Sequence, residues 1–252
     1  MTKNELKSVV IIPARFQSTR FPGKPLAKIA QKTMIQHVYE RASSAHRVTK
    51  VIVATDDYRI AQTVRAFGGT AWMTAGTHRS GTERVAEVSR NLQVDLVVNL
   101  QGDEPLIDPA CIDAAIQPFE SDSALMISTL KSSANSQELY DPNVVKVVTD
   151  QQGVALYFSR SPIPYIPKSQ VQHKETATFF KHIGLYVYRK EFLEIFPNLP
   201  YSELEKIEDL EQLRFLENGF RVKVVHYEYK SFAVDTPEDL VRVNELISQG
   251  EI

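Results

Sequence analysis

The chain has 252 residues, 43% of them hydrophobic and 24% charged, with a formal net charge of −2. That is the composition of a soluble globular enzyme, long enough for one large domain or a domain with a small appendage. The near-neutral charge excludes non-specific nucleic-acid binding, and no apolar run is long enough to span a bilayer.

The tail Met1–Lys7 is polar and the apolar run after it stops at Pro13, so no signal peptide is expected. Ser8–Pro13 reads as a buried first strand, followed by a loop carrying Arg15, Arg20 and Lys24. From Leu6 to Tyr39 there is no Asp or Glu, whereas Lys7, Arg15, Arg20, Lys24, Lys28 and Lys32 all fall there. A basic loop at the carboxyl end of a buried strand is suited to a polyphosphate. Helix signals at Thr33–Ala45, Asp57–Phe67 and Ser80–Arg90 alternate with strand signals at Lys50–Thr55 and Asp95–Gln101. This alternation predicts a mostly parallel sheet covered on both faces, with ligands beyond the strand carboxyl ends, where Arg15, Asp56 and Asp103 fall. The one cysteine, Cys111, lies in a predicted helix with no second thiol to make a metal or disulfide site. It suits a reducing cytoplasm.

The middle differs. Val144–Asp150 and Val154–Arg160 flank Gln151-Gln152-Gly153 and predict an antiparallel hairpin. The proline-rich Ser161–Pro167 excludes a regular element, and His173–Arg189 returns to strand with His182, Tyr186 and Tyr188 on one side of the pleat. Residues 130–190 are therefore read as a smaller antiparallel subregion, a lid or dimer surface. One helix is expected over Glu203–Glu217, with Leu204, Ile207, Leu210, Leu213 and Leu216 as its apolar stripe. A strand at Arg221–Tyr227 and a helix from Pro237 close the chain.

Asp103, just past a buried strand and facing a phosphate loop, is placed as a Mg²⁺ ligand. Asp235 precedes Thr236-Pro237 and Asp239, which already make a helix cap, so its carboxylate is spare for the same metal. Lys24, fixed between Gly23 and Pro25, is the best phosphate ligand, and Arg15 would neutralise charge at the reacting phosphate. His182 and Tyr186 form a polar pair among aromatics, and Glu211 and Gln212 are either an exposed stripe or a sugar-binding edge. No Gly-x-Gly-x-x-Gly or Gly-x-x-x-x-Gly-Lys-[Ser/Thr] is present, which argues against a dinucleotide dehydrogenase or a P-loop ATPase.

The segment Pro13-Ala14-Arg15…Ser18-Thr19-Arg20-Phe21-Pro22-Gly23-Lys24-Pro25-Leu26 resembles the phosphate loop of nucleotide-sugar-forming nucleotidyltransferases. Asn99-Leu100-Gln101-Gly102-Asp103-Glu104-Pro105, Leu156-Tyr157-Phe158-Ser159-Arg160 and Leu210-Glu211-Gln212-Leu213-Arg214 narrow the resemblance to the 3-deoxy-manno-octulosonate (Kdo) cytidylyltransferase family. His78–Arg84, His182–Tyr186 and Val234–Asp239 extend it nearly end to end. The resemblance implies an α/β, Rossmann-like nucleotide-diphospho-sugar transferase fold over 1–252 and a cytoplasmic homodimer built through 130–190. It implies CTP and Kdo as substrates, CMP-Kdo and pyrophosphate as products, and a place in lipopolysaccharide biosynthesis. By motif position Arg15, Arg20 and Lys24 would hold the triphosphate, while Ser80, Gly81, Thr82 and Gln101 would frame the cytidine. Asp103 and Asp235 would bind Mg²⁺, and Arg160, His182, Tyr186, Glu211 and Gln212 would line the sugar pocket. The alternatives are the same chemistry on a related acid sugar (8-amino-Kdo or a sialic acid) and a non-catalytic CTP-binding regulatory module. The Met1–Lys7 tail is longer than typical, and nothing is assigned to Lys168–Thr178.

Overall fold

A computed structural model describes residues 6–18, 20–167, 179–229 and 232–249. Most of the tail, Thr19 of the phosphate loop, the segment 168–178 and the first part of the predicted strand from His173 lie outside the described residues.

In chain order the elements are β1 (Ser8–Ala14), β2 (Lys28–Ile29), β3 (Lys32–Thr33), α1 (Met34–Ser43), β4 (Lys50–Thr55), α2 (Tyr58–Ala66), β5 (Ala71–Met73), α3 (Gly81–Ser89), β6 (Leu96–Asn99), α4 (Pro109–Ile116), β7 (Ile127–Ala134) and α5 (Ser136–Tyr140). Then follow β8 (Lys146–Thr149), β9 (Ala155–Ser159), β10 (Phe179–Arg189), α6 (Lys190–Ile195), α7 (Glu203–Glu208), α8 (Gln212–Glu217), β11 (Val222–His226) and α9 (Pro237–Ser248). The central sheet runs β11-β7-β10-β6-β1-β4-β5, with β8 and β9 attached beside β10. β1 pairs in parallel with β4 and β6, and β4 with β5, whereas β10 is antiparallel to both β6 and β7.

The period-2 pattern decides which layer each side chain joins. Val10 and Ile12 of β1 pack with Ile35, Val38, Ile60, Val64 and Ile112 from α1, α2 and α4. Val9 and Ile11 face the other way, toward Val85, Phe192 and Phe215 from α3, α6 and α8. A third, smaller cluster of Ile29, Met34, Val234 and Val243 docks α9.

The antiparallel strands of 130–190 are continuous with this central sheet: β7 and β10 lie inside it, and only the β8–β9 hairpin projects beyond the path. The single helix expected over Glu203–Glu217 is in fact two. Asp209 adopts φ 52, ending α7 and reorienting the chain before α8. Ile207, assigned above to the apolar stripe, is 76% exposed as a result, while Leu210 and Leu213 remain in the core.

β10 carries a bulge of two residues. Ile183 pairs with Leu130, but the next pairing is Tyr186 with Thr129. An even number of extra residues keeps the alternation, so Ile183, Leu185 and Val187 join one layer and Tyr186 and Tyr188 the other.

Candidate active site

Gly23 makes the basic loop possible. It sits at φ 75, its N–H donates to the Phe16 carbonyl at 2.8 Å, and a Cβ there would lie 3.0 Å from the Phe16 ring. The guanidinium of Arg59 of α2 stacks over that ring at 3.4 Å from the centroid. The loop is thus pinned where Lys24-Pro25-Leu26 makes a single 3₁₀ turn.

Lys24 then reaches two carboxylates that are far apart in sequence. Its Nζ donates to Asp103 Oδ2 at 2.9 Å and to Asp235 Oδ1 at 3.1 Å, and Arg20 Nη2 stands 3.3 Å from the same Asp235 oxygen. Burial works to lower the Lys24 pKa, but Asp103 and then Asp235 outweigh it and the net shift is upward. The backbones are tied as well, since the Val234 N–H donates to the Asp103 carbonyl at 2.9 Å. The cap at the start of α9 forms without the Asp235 carboxylate: the Asp235 and Thr236 amides donate to Asp239 Oδ2 at 3.0 and 2.9 Å. The side chain of Asp235 is therefore left out of the cap, and it faces Lys24.

The cleft around this triad is lined by Arg15, Arg20, Lys24, Ser80, Gly81, Gln101, Asp103 and Asp235, all named from the sequence. Ser80 caps α3 by accepting from the Glu83 amide at 3.2 Å, which aims the positive end of a nine-residue helix at the cleft. Gly81 lets that end approach β1, because a Cβ there would meet Pro13 at 3.2 Å.

Three basic lining residues were given no role from the sequence: His78, Arg79 and Arg84. Arg84 is a buried guanidinium, 3.2 Å from Asp56 Oδ2 and also bonded to Thr74 Oγ1. His78 bonds Glu87, whose carboxyl burial alone would raise. That hydrogen bond and one from the Ala75 amide bring it net below its ordinary value. The signal was available in three basic residues clustered around a helix N-terminus, at His78, Arg79 and Arg84.

Thr82, Arg160, His182, Tyr186, Glu211 and Gln212 lie outside that cleft lining. Thr82, in the first turn of α3, is buried, its hydroxyl bonded to Glu211 rather than open to the cleft. Arg160 donates from Nε to the Glu208 carbonyl at 2.8 Å, from Nη1 to Pro142 at 3.0 Å and from Nη2 to Asp209 at 3.2 Å, bracing the break between α7 and α8. Gln212, the first residue of α8, is buried.

His182 and Tyr186 would stand about 13 Å apart in a regular strand, but the bulge brings their rings to 5.2 Å between centroids. Thr129 fastens the bulge by donating to the Leu185 carbonyl at 2.7 Å, so His182 Nε2 is the donor in its 2.8 Å contact with Thr129 Oγ1. Burial pushes His182 down to about 3 from 6.5, so the ring is neutral at working pH. Between those two values the unfolded chain binds a proton that the folded one refuses, so stability drains away as pH falls through this window. A His182→Gln variant is expected to lose less melting temperature than the parent between about pH 6.5 and 4. Parallel melting curves would contradict the burial argument.

Burial also raises the carboxyl of Glu211, against the pull of its hydrogen bond from Thr82. The Cys111 thiol, buried in α4, is pushed up to about 12 by burial and then by Asp108 and Glu104, which leaves it inert as a nucleophile.

Among the described residues no group of three or more His, Cys, Asp or Glu is placed to hold a metal ion. Asp103 and Asp235 nonetheless gather on one cation, the Lys24 ammonium. Two carboxylates with the remaining positions left to water and phosphate oxygens fit Mg²⁺.

Comparison with known proteins agrees with this geometry. A family model described as Cytidylyltransferase matches residues 9–228. A 3-deoxy-manno-octulosonate cytidylyltransferase of Geobacter metallireducens is 52% identical over 98% of this chain and 100% of its own. Another, of Syntrophotalea carbinolica, is 56% identical over 92% of this chain and 95% of its own. The solved structure of a CMP:2-keto-3-deoxy-manno-octonic acid synthetase complexed with CTP superposes with a TM-score of 0.91 at 44% identity, covering 97% of this chain and 99% of that one. With a basic loop facing paired carboxylates on a sheet shared with that synthetase, and relatives of 52% and 56% identity over nearly its full length, the chain belongs to the 3-deoxy-manno-octulosonate cytidylyltransferase family.

Proposed function

We propose that the chain transfers the cytidylyl group of CTP to Kdo, giving CMP-Kdo and pyrophosphate. The observation that carries this reading is the convergence of Asp103 and Asp235 on Lys24 inside a cleft walled by Arg15, Arg20 and the start of α3. The anomeric hydroxyl oxygen of the sugar bonds to the α-phosphorus, the bond from that phosphorus to the β-phosphate bridge breaks, and the hydroxyl proton passes to solvent. Both substrates are anions, so the barrier is chiefly repulsion and the charge building on phosphoryl oxygens.

Arg15, Arg20 and Lys24 bind the triphosphate and stabilise the departing pyrophosphate, while Gln101, Ser80 and Gly81 frame the nucleoside. Glu211, Gln212, His182, Tyr186 and Arg160 take the sugar acid. Asp103 and Asp235 hold Mg²⁺, which when bound supplies charge neutralisation at the α-phosphate and a lowered pKa for the attacking hydroxyl. The same reading carries a cytoplasmic setting in lipopolysaccharide biosynthesis and a homodimer. Exposed Tyr140, Leu156 and Tyr165 supply apolar surface in 130–190 for such a contact.

The test is pyrophosphate release with CTP and Kdo at saturating Mg²⁺, against UTP and ATP and against 8-amino-Kdo and a sialic acid. Release is expected with CTP and Kdo, and weakly or not at all in the other combinations. Tight CTP binding without any pyrophosphate would instead mark a regulatory module.

A further inference from the structure

Among the described residues, three buried polar atoms behind the cleft have no hydrogen-bond partner: Tyr186 Oη, Tyr188 Oη and Glu211 Oε2. A buried acceptor left unmet costs free energy, so the groups that dictate which oxygen of Glu211 is left over have a consequence. Those groups form a line. Gln101, on the cleft wall, donates from Nε2 to Asn99 Oδ1 at 3.1 Å. Asn99, only 1% exposed at the end of β6, donates from Nδ2 to Thr82 Oγ1 at 3.1 Å. Thr82 donates onward to Glu211 Oε1.

The direction of this line is forced. A threonine hydroxyl has one proton, and with Asn99 donating into its oxygen that proton is available only to Glu211. The order is set from the Glu211 end: a carboxylate only accepts, so Thr82 Oγ1 takes its hydrogen bond from Asn99 Nδ2, and Asn99 Oδ1 in turn accepts from Gln101 Nε2. Glu211 Oε1 is therefore fixed as an acceptor, and Oε2 is the oxygen held open beside the aromatic wall.

We propose that Thr82 and Asn99 are positioning residues that hold Glu211 as a hydrogen-bond acceptor for a hydroxyl of the sugar substrate. They thereby join the nucleotide wall and the sugar pocket into one bonded unit. The proposal rests on the assignment of the sugar pocket given above, and it concerns residues that do not themselves touch substrate.

The test is steady-state kinetics of Thr82→Val, Thr82→Ser and Asn99→Asp, with melting curves for each. Val is isosteric but cannot donate, so KM for Kdo is expected to rise about tenfold or more, the value of one hydrogen bond to a charged group. KM for CTP and kcat are expected to move by no more than about threefold, which corresponds to less than one neutral hydrogen bond. Thr82→Ser keeps the donor and is expected to return KM for Kdo to within about threefold of the parent. Asn99→Asp turns the donor toward Thr82 into an acceptor, drawing the hydroxyl away from Glu211 and reproducing the Thr82→Val effect. If Thr82→Val fails to fold, Asn99→Asp decides the matter.

An unchanged KM for Kdo in the Val and Asp variants, an equal rise for both substrates, or a Ser variant as impaired as Val would overturn the proposal. If the parent protein itself releases no pyrophosphate from CTP and Kdo, the functional reading falls and takes the positioning role with it. A parent active on Kdo beside an unaffected Thr82→Val removes the positioning role alone.

Discussion

Asp103→Ala is expected to lower steady-state pyrophosphate release by at least about 10²–10³-fold, the usual loss when one preorganised charge contact is removed. The same is expected of Asp235→Ala. Each carboxylate is one of the two that, among the described residues, meet at Lys24, at 2.9 and 3.1 Å, so neither loss leaves a substitute within the triad. The fold is expected to survive both changes. The side chains are 31% and 41% exposed, and the contact that holds the two segments together is a backbone one, from the Val234 N–H to the Asp103 carbonyl. Pyrophosphate assays at saturating Mg²⁺, paired with circular dichroism melts, separate the two quantities. Near-normal turnover in either variant would remove the carboxylate pair from the mechanism.

Glu205→Ala is expected to produce the largest loss of stability, about 3–5 kcal/mol, because it leaves an unpaired buried cation. Arg214 donates from Nε to Glu205 Oε2 at 2.7 Å and from Nη2 to Oε1, with side chains 3% and 10% exposed. Its guanidinium also lies 3.9 Å from the centroid of the Tyr201 ring and 4.8 Å from that of Phe196, whose π faces attract a cation but replace neither the carboxylate charge nor water. A loss of that size is a large part of the 5–15 kcal/mol that holds a typical domain together. Urea unfolding should show the midpoint fall, and the double variant Glu205→Leu/Arg214→Leu should recover part of it, since two apolar groups leave no orphan charge. A single variant as stable as the parent would mean the pair is not closed to water. Because α8 begins at Gln212, directly after Glu211, the weakened pair is also expected to raise KM for the sugar.

The alternating strands and helices of the first half were legible because each carries its own local signal. β4 spans Lys50–Thr55 as predicted, and α3 begins directly after Ser80, where the helix signal opens. Asp103 and Asp235 were legible for a related reason: a turn past a buried strand and a spare residue before a cap are both local facts. What escaped depended on contacts between distant segments. The break at Asp209 requires a non-glycine residue at positive φ, which apolar periodicity cannot show. Without that break Glu211 reads as part of a stripe, whereas the structure turns it inward to Thr82. The basic cluster at His78, Arg79 and Arg84 is visible in the sequence, but the burial of the Arg84 guanidinium is explained only by its partner Asp56, just past β4. β7 and β10 read as a separate subregion because antiparallel pairing looks local in sequence; their place inside the sheet is set by β6 and β11, far along the chain.

The extra pair of residues in β10 also restricts how this part of the chain can change in length. Inserting or deleting one residue at Gly184 would exchange inside for outside at every downstream position of the strand, sending Tyr186 and Tyr188 into the aliphatic layer and Val187 among the rings. Length variants that still fold should therefore differ here only in steps of two, and a library of one- and two-residue indels at this point would sort itself by odd and even number.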